Sequence, residues 1–130
     1  MKILVFGSRE WVWEGVILRK LSKLPRDTIL VNGYAPGADR MADRIGRKLG
    51  FDVRSYPADW SLGNAGGPIR NSEMLTKEHP DPQGIGFDKG FGFSTGRQNK
   101  GTHDMAEKLW KAMIRFEIEF PPKNPMDDDM

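Results

Sequence analysis

Residues 2–11 read KILVFGSREW, and the change of character at Gly7 decides how the chain is interpreted. Residues 3–6 are all apolar and have the length and composition of a buried strand. Gly7, Ser8 and Arg9 follow where that strand ends. A glycine turn that carries a hydroxyl and a guanidinium group is typical of a loop that binds phosphate. The stretch therefore predicts a buried strand with an anion-binding loop at its carboxyl end.

Strand and helix patterns alternate after this loop. Apolar residues at helical spacing predict helices over 13–24 and 38–49, and residues 28–31 and 53–56 are typical of short buried strands. The short connections favour a parallel sheet with helices on both faces, which is an α/β fold. Beyond residue 57 the pattern predicts a helix over 67–77, an irregular strand or hairpin within 80–100, a helix from Gly101 with Met113 on its buried side, and a half-exposed last strand over 116–120.

Length and composition indicate one domain over 1–120, followed by a flexible tail over 121–130. The chain has no cysteine, which excludes disulfides and thiolate metal sites. It also has no apolar run long enough for a membrane helix, so we expect a cytoplasmic protein without a membrane partner. Because the last three acids lie at 127–129, residues 1–126 carry 20 basic and 15 acidic side chains. That excess suits an anionic partner, which could be a nucleotide or a nucleic acid.

Four polar loops are expected along one edge of the sheet. Parallel strands end on the same side, so the segments 7–11, 32–39, 57–71 and 94–104 should gather there, close to helix N-termini that attract phosphate. Structural roles remain open for several of their residues, since Ser8 could cap a helix, Asp39 could favour a helix start, and Trp11 or Trp60 could belong to the core. The candidate ligand-binding residues are Gly7, Ser8, Arg9, Trp11, Gly37, Asp39, Trp60, Arg70, Asn71, Gly101 and Thr102.

The usual cofactor fingerprints are missing from these loops. None of them matches the dinucleotide-binding G-x-G-x-x-G pattern or the Walker P-loop. His79 and His103 are far apart in sequence and no motif joins them, so we expect neither a metal site nor a tightly bound cofactor.

Five short motifs, taken in order, resemble those of one protein group. GSREW (7–11), PGAD (36–39), PADW (57–60), GPIRNSEML (67–75) and GTHDM (101–105) are similar to the SLOG superfamily, and more narrowly to its stand-alone YspA-like branch. The resemblance covers about residues 2–115. It implies a Rossmann-like three-layer fold with a mainly parallel central sheet, and a nucleotide or nucleotide-derived ligand at the edge described above.

The departures from the superfamily bear on catalysis. Gly101 and Thr102 match the Gly-Thr of the LOG phosphoribohydrolase motif P-G-G-x-G-T-x-x-E, but its acidic position falls at Met105, which cannot transfer a proton. A longer stretch, 94–100, replaces the paired glycines, and Tyr34 stands where relatives often have glycine. The resemblance therefore favours binding over LOG-type hydrolysis.

Three functions remain as hypotheses. The first is a sensor or sequestering module for a nucleotide-like ligand, with a role in bacterial or phage nucleotide signalling as the use that the resemblance suggests. The second is a nucleotide hydrolase that uses Asp39 or Asp104 as its acid–base group. The third is single-stranded nucleic-acid binding by the basic helix that carries Arg40, Arg44, Arg47 and Lys48. A homodimer is also predicted, with the Phe-rich segment 87–93 as its contact surface.

Overall fold

The computed structural model describes residues 1–96 and 100–128. Five strands alternate with four α-helices, and two short 3₁₀ helices, Trp60–Ala65 and Pro125–Asp128, complete the described structure. In chain order the α-helices and strands are β1 (Lys2–Gly7), α1 (Glu14–Ser22), β2 (Ile29–Asn32), α2 (Ala38–Lys48), β3 (Asp52–Ser55), α3 (Gly66–Glu78), β4 (Lys89–Phe93), α4 (Lys100–Lys111) and β5 (Phe116–Glu119).

The strands form one sheet in the order β3-β2-β1-β4-β5, and every neighbouring pair is parallel. The chain first winds outward from β1 to β3 and then crosses back to place β4 on the other side of β1. Helices cover both faces, which confirms the predicted three-layer α/β fold. The reversal between β1 and β4 opens a crevice at the carboxyl edge, where ligands bind in folds of this kind.

The strand β1 supplies both halves of the hydrophobic core. Ile3 and Val5 pack on the side of α1 and α2, whereas Leu4 and Phe6 pack on the side of α3 and α4. All four side chains are buried, and each contributes about 1.5–3 kcal/mol of transfer free energy. This two-sided burial explains why the strand has no polar residue between Lys2 and Gly7.

Segment 80–100 was predicted as an irregular strand or a hairpin, and the strand is the alternative that the structure confirms. The described residues of this segment contain the strand β4 and no hairpin, and β4 lies between β1 and β5. Phe87, Phe91 and Phe93 are buried, so the predicted dimer surface over 87–93 is wrong. The reason lies at Gly92, where a Cβ would come within 2.7 Å of the Phe6 ring. Glycine therefore faces Phe6 while the intervening phenylalanines fill the opposite core, and the homodimer stays a prediction without this surface.

The turn after α4 exposes a methionine that the sequence pattern places on the buried side. Met113 is 91% exposed, not buried, because α4 ends at Lys111 and Met113 adopts a φ of 60° in the turn that follows. Within the expected flexible tail, residues up to Asp128 are described, and the Asp128 carboxylate accepts a hydrogen bond from the backbone N–H of Val16. Among the described residues, no helix has the length and apolar character needed to cross a membrane.

A buried ionic cluster holds the C-terminal end of α3 against the sheet. The Lys2 side chain is 0% exposed, and its Nζ lies 2.9 Å from the Glu78 carboxylate and 3.1 Å from that of Asp81. Arg54 pairs with the same two carboxylates. Burial alone would raise the pKa of Glu78, but hydrogen bonds from Tyr56, Lys2 and Arg54 outweigh it and lower that pKa. The cluster thus keeps its charges paired inside the protein.

Candidate functional site

A cavity of about 540 Å³ opens at the carboxyl edge, at the reversal between β1 and β4. Its volume lies within the range of small-molecule sites. Residues that follow each of the first four strands line it. They are Phe6, Gly7, Arg9, Glu10, Ala35, Asp39, Trp60, Asn64, Gly67, Pro68, Arg70, Asn71, Met74, Lys100, Gly101, Thr102 and Met105.

The structure brings most of the sequence-predicted site residues to this cavity. Eight of the eleven line it, namely Gly7, Arg9, Asp39, Trp60, Arg70, Asn71, Gly101 and Thr102. The other three, Ser8, Trp11 and Gly37, do not line it and act on the framework around it. Arg97 to Asn99, in the fourth predicted loop, lie outside the described residues.

Ser8 is a buried junction between loops. Its hydroxyl oxygen accepts a hydrogen bond from the Thr95 N–H at 3.1 Å, and its carbonyl accepts the N–H groups of Trp11 and Ala38, each at 3.2 Å. It does not cap α1, which begins six residues later at Glu14. Since Ser8 takes the Ala38 N–H, that donor at the start of α2 is engaged within the protein.

Trp11 belongs to the core, so its predicted contact with the ligand is wrong for this structure. It is 1% exposed, and its ring packs edge-on against Trp13 and Phe93 with centroid distances of 5.2 and 5.5 Å. The indole N–H donates to the Trp13 carbonyl at 2.9 Å. Trp11 therefore has the structural role that the sequence analysis gave as its alternative.

Gly37 is required by the close approach of two loops. Its φ is 83°, and a Cβ at this position would lie 2.4 Å from the carbonyl oxygens of Ser8 and Arg9. Gly7 meets a similar constraint, because its Cβ would lie 2.7 Å from that of Ala38. Both glycines therefore allow the loop after β1 to rest on the start of α2, and only Gly7 also borders the cavity.

Asp39 is a buried carboxylate on the cavity wall. Its Oδ2 accepts hydrogen bonds from the N–H groups of Gly33 at 3.1 Å and Ala35 at 3.4 Å, which shapes the loop after β2. Burial raises the pKa of Asp39 to about 6, against the opposing influence of Arg70 and of the two backbone N–H groups. This carboxyl group can therefore change its charge near neutral pH.

Arg70 reaches from α3 under the loop that follows β2. Its Nη1 donates to the Gly33 carbonyl and, at 3.5 Å, to the Tyr56 carbonyl, while its Nε donates to Asn71 Oδ1 at 2.8 Å. Burial lowers the pKa of Arg70, and the nearby Asp39 carboxylate opposes that change. The guanidinium group thus joins two strand ends and also borders the cavity.

Asn71 connects this arginine to the last helix. Its Nδ2 donates to Asp104 Oδ2 at 3.0 Å and to the Gly101 carbonyl at 3.4 Å. The Asp104 carboxylate also accepts two bonds from Lys108, at 2.7 and 2.6 Å. Asn71 therefore positions the start of α4, and Asp104 is engaged with both partners and does not line the cavity.

Arg9 and Trp60 lie together at the cavity mouth. Both side chains are exposed, and the Arg9 guanidinium carbon lies 4.7 Å from the centroid of the Trp60 ring. Trp60 begins the 3₁₀ helix Trp60–Ala65, which has no buried residue. This pair gives the site an accessible aromatic ring and an accessible cation.

Two comparisons with known proteins bear on this arrangement. The family model described as "YspA, cpYpsA-related SLOG family" matches residues 1–63, which include the first three strands. The "Gene 61 protein" of Mycobacterium phage D29 is 33% identical over 128 residues, an alignment that covers 88% of this chain and 95% of that protein. The chain belongs to the SLOG superfamily. The matched region of this SLOG chain contains Arg9, Asp39 and Trp60.

The cavity of the SLOG domain also contains residues that the sequence analysis did not select. Glu10, Asn64 and Lys100 add polar groups, and Lys100 could have been found because it directly precedes the Gly-Thr of the fourth motif. The apolar part is made of Phe6, Met74 and Met105, all buried in the core cluster under α3 and α4. Met105 therefore places a thioether where the LOG motif has its acid.

The basic face of α2 and the expected lack of a metal site were also predicted from the sequence of this SLOG domain. On α2, Arg44 pairs with Glu14 at 2.5 Å and Arg47 pairs with Asp43 at 2.7 Å, so half of the predicted nucleic-acid surface is engaged in ion pairs. No group of three or more histidine or acidic side chains within 1–96 and 100–128 is arranged to hold a metal ion.

Proposed function

We propose that the SLOG domain binds a nucleotide or nucleotide-derived ligand in the cavity and acts as a sensor or sequestering module. The observation that carries the proposal is the meeting of Arg9, Arg70 and Lys100 around one cavity at the carboxyl edge of the sheet. Membership of the SLOG superfamily supports a nucleotide-related role. Use of this binding in bacterial or phage signalling belongs to the same proposal.

The charges around the cavity favour an anion. Three cationic side chains face two carboxylates, those of Glu10 and Asp39. Asp39 loses its negative charge below its pKa of about 6, which further increases the positive balance. The first residues of α4, Lys100 to Thr102, add the positive end of a 12-residue helix. A phosphate group can therefore interact both with the backbone dipole at the start of α4 and with the cationic side chains around the cavity.

The experiment is isothermal titration calorimetry with AMP, ADP-ribose and NAD. Arg9 and Lys100 are exposed, so Arg9→Gln and Lys100→Gln remove charge without opening the core. Each variant should weaken binding of a phosphate-bearing ligand by about tenfold or more, since a hydrogen bond to a charged group contributes about 1.5–3 kcal/mol. Arg115→Gln is the matched control, because Arg115 is exposed and directly precedes β5, at the amino edge of the sheet and away from the cavity. Absence of binding to all three ligands would contradict the proposal.

One observation favours hydrolysis as a second candidate. Asp39 lines the cavity, and burial raises its pKa to about 6, a value suited to a general acid near neutral pH. Asp104, the other predicted acid, is held by Asn71 and Lys108 away from the cavity lining. Incubation with AMP and NAD followed by chromatography for released base tests this candidate. Release that disappears in Asp39→Asn would favour the hydrolase over the binding module.

A further inference from the structure

We infer that the ligand carries an aromatic base and that this base stacks on Trp60, at the ring face that the Arg9 guanidinium covers. The inference rests on the proposed function and narrows its ligand from any nucleotide or nucleotide-derived molecule, with or without the base, to those that keep a planar base. It also gives Arg9 two positions, one on the ring and one on the phosphate.

Trp60 is an exposed tryptophan that lines the cavity. Its side chain is 51% exposed, whereas Trp11 is 1% exposed and fills the core. The exposed ring nevertheless has a defined support. A Cβ at Gly66 would lie 3.4 Å from one ring atom, and a Cβ at Gly67 would lie 3.7 Å from another, so the ring rests beside the two glycines that begin α3. A supported indole at a cavity mouth is a stacking surface.

Arg9 shows what this surface accepts. A guanidinium group is planar and cationic, and here it lies over the ring at 4.7 Å from the centroid. A cation–π contact at an exposed site contributes about two- to fivefold to an equilibrium constant. Stacking of a base on an aromatic side chain contributes about five- to 150-fold. A base therefore displaces the guanidinium group from the ring.

The displaced arginine remains useful to the same ligand. Arg9 has a long exposed side chain and lines the cavity together with Lys100 and Arg70. Once its guanidinium group leaves the ring, it can donate two parallel hydrogen bonds to a phosphate. Base and phosphate thus act together in a nucleotide, whereas a nucleoside must displace Arg9 without giving it a new partner.

The test compares ligands that differ only in the base or the phosphate. Calorimetry with AMP, ribose 5-phosphate and adenosine is carried out on the unmodified chain, Trp60→Ala, Trp60→Phe and Arg9→Gln. Trp110→Ala is the control, because Trp110 is 76% exposed on α4 and does not line the cavity. Circular dichroism spectra and unfolding midpoints establish that each variant is folded.

The expected pattern is specific to stacking. AMP should bind at least about fivefold more tightly than ribose 5-phosphate, and Trp60→Ala should remove that difference while Trp60→Phe keeps most of it. Arg9→Gln should weaken the binding of AMP. The affinity for adenosine should stay the same or rise by up to about fivefold. The control variant, Trp110→Ala, should change the affinity for neither AMP nor adenosine.

Other results would overturn the inference in distinguishable ways. Equal affinity for AMP and ribose 5-phosphate, unaffected by Trp60→Ala, would reject base stacking while leaving phosphate binding in place. A similar loss of adenosine and AMP binding in Arg9→Gln would reject the displacement of Arg9. Failure of AMP, ribose 5-phosphate and adenosine to bind would reject the inference, and the proposed function would be rejected with it only if ADP-ribose and NAD also fail to bind.

Discussion

Replacing Asp39 by asparagine should remove a pH-dependent loss of stability. Burial raises the pKa of this carboxyl group from 3.8 to about 6, so the folded protein holds its proton more tightly than the unfolded chain does. The resulting stability is fully present below pH 3.8 and is lost as the pH rises through about 6. A shift of about two pKa units corresponds to about 3 kcal/mol of unfolding free energy.

The measured quantity is the difference in unfolding free energy between the unmodified chain and Asp39→Asn. Urea denaturation between about pH 4 and pH 8 should show this difference moving by about 2.4 kcal/mol in favour of the variant, which is most of the full effect. Subtraction cancels groups common to both proteins, such as Glu78 and Asp81, whose lowered pKa values act in the opposite direction. Asparagine keeps an oxygen acceptor for the N–H of Gly33. A difference that stays constant with pH would refute the reasoning.

Two further predictions concern stability. Lys2→Met should destabilise the fold by about 3–5 kcal/mol, because it leaves buried carboxylates with one cation fewer, whereas Lys77→Met on an exposed pair should cost less than about 1 kcal/mol. Similar losses in urea denaturation would contradict the buried cluster. Gly50→Ala should cost about 1 kcal/mol for its positive φ alone, and Gly37→Ala about 1–3 kcal/mol more because its Cβ meets two carbonyl oxygens. Equal midpoint shifts would show that the loops separate easily.

The sequence contains most of the information about the fold. The apolar run in β1 and the short connections to β3 predict a parallel sheet because a strand buried on both faces leaves no room for polar alternation. Segment 80–100 has a less specific pattern. Position 92 requires glycine because the Phe6 ring, on a strand more than 80 residues earlier, occupies the space that a Cβ would need. The local pattern of Gly and Phe does not contain this contact, so it could not distinguish a central strand from a hairpin.

The site was predictable in its location and less so in its details. Glycine-bearing loops at strand ends predict a common edge, and Arg9, Asp39 and Arg70 meet there. The role of Ser8 depends on the Thr95 N–H, which is 87 residues away in sequence. Lys2 likewise pairs with carboxylates 76 and 79 residues distant, so at the sequence level it resembles an ordinary solvated lysine. Such partners are known only once the chain is folded.

The 3₁₀ helix Trp60–Ala65 borders the cavity with Trp60 and Asn64 but buries none of its residues. Substitutions in this helix therefore disturb the packing of the hydrophobic core less than substitutions at the buried positions of β1 or α2. Under the proposed function, substitutions in this 3₁₀ helix should therefore change ligand preference at little cost in folding free energy.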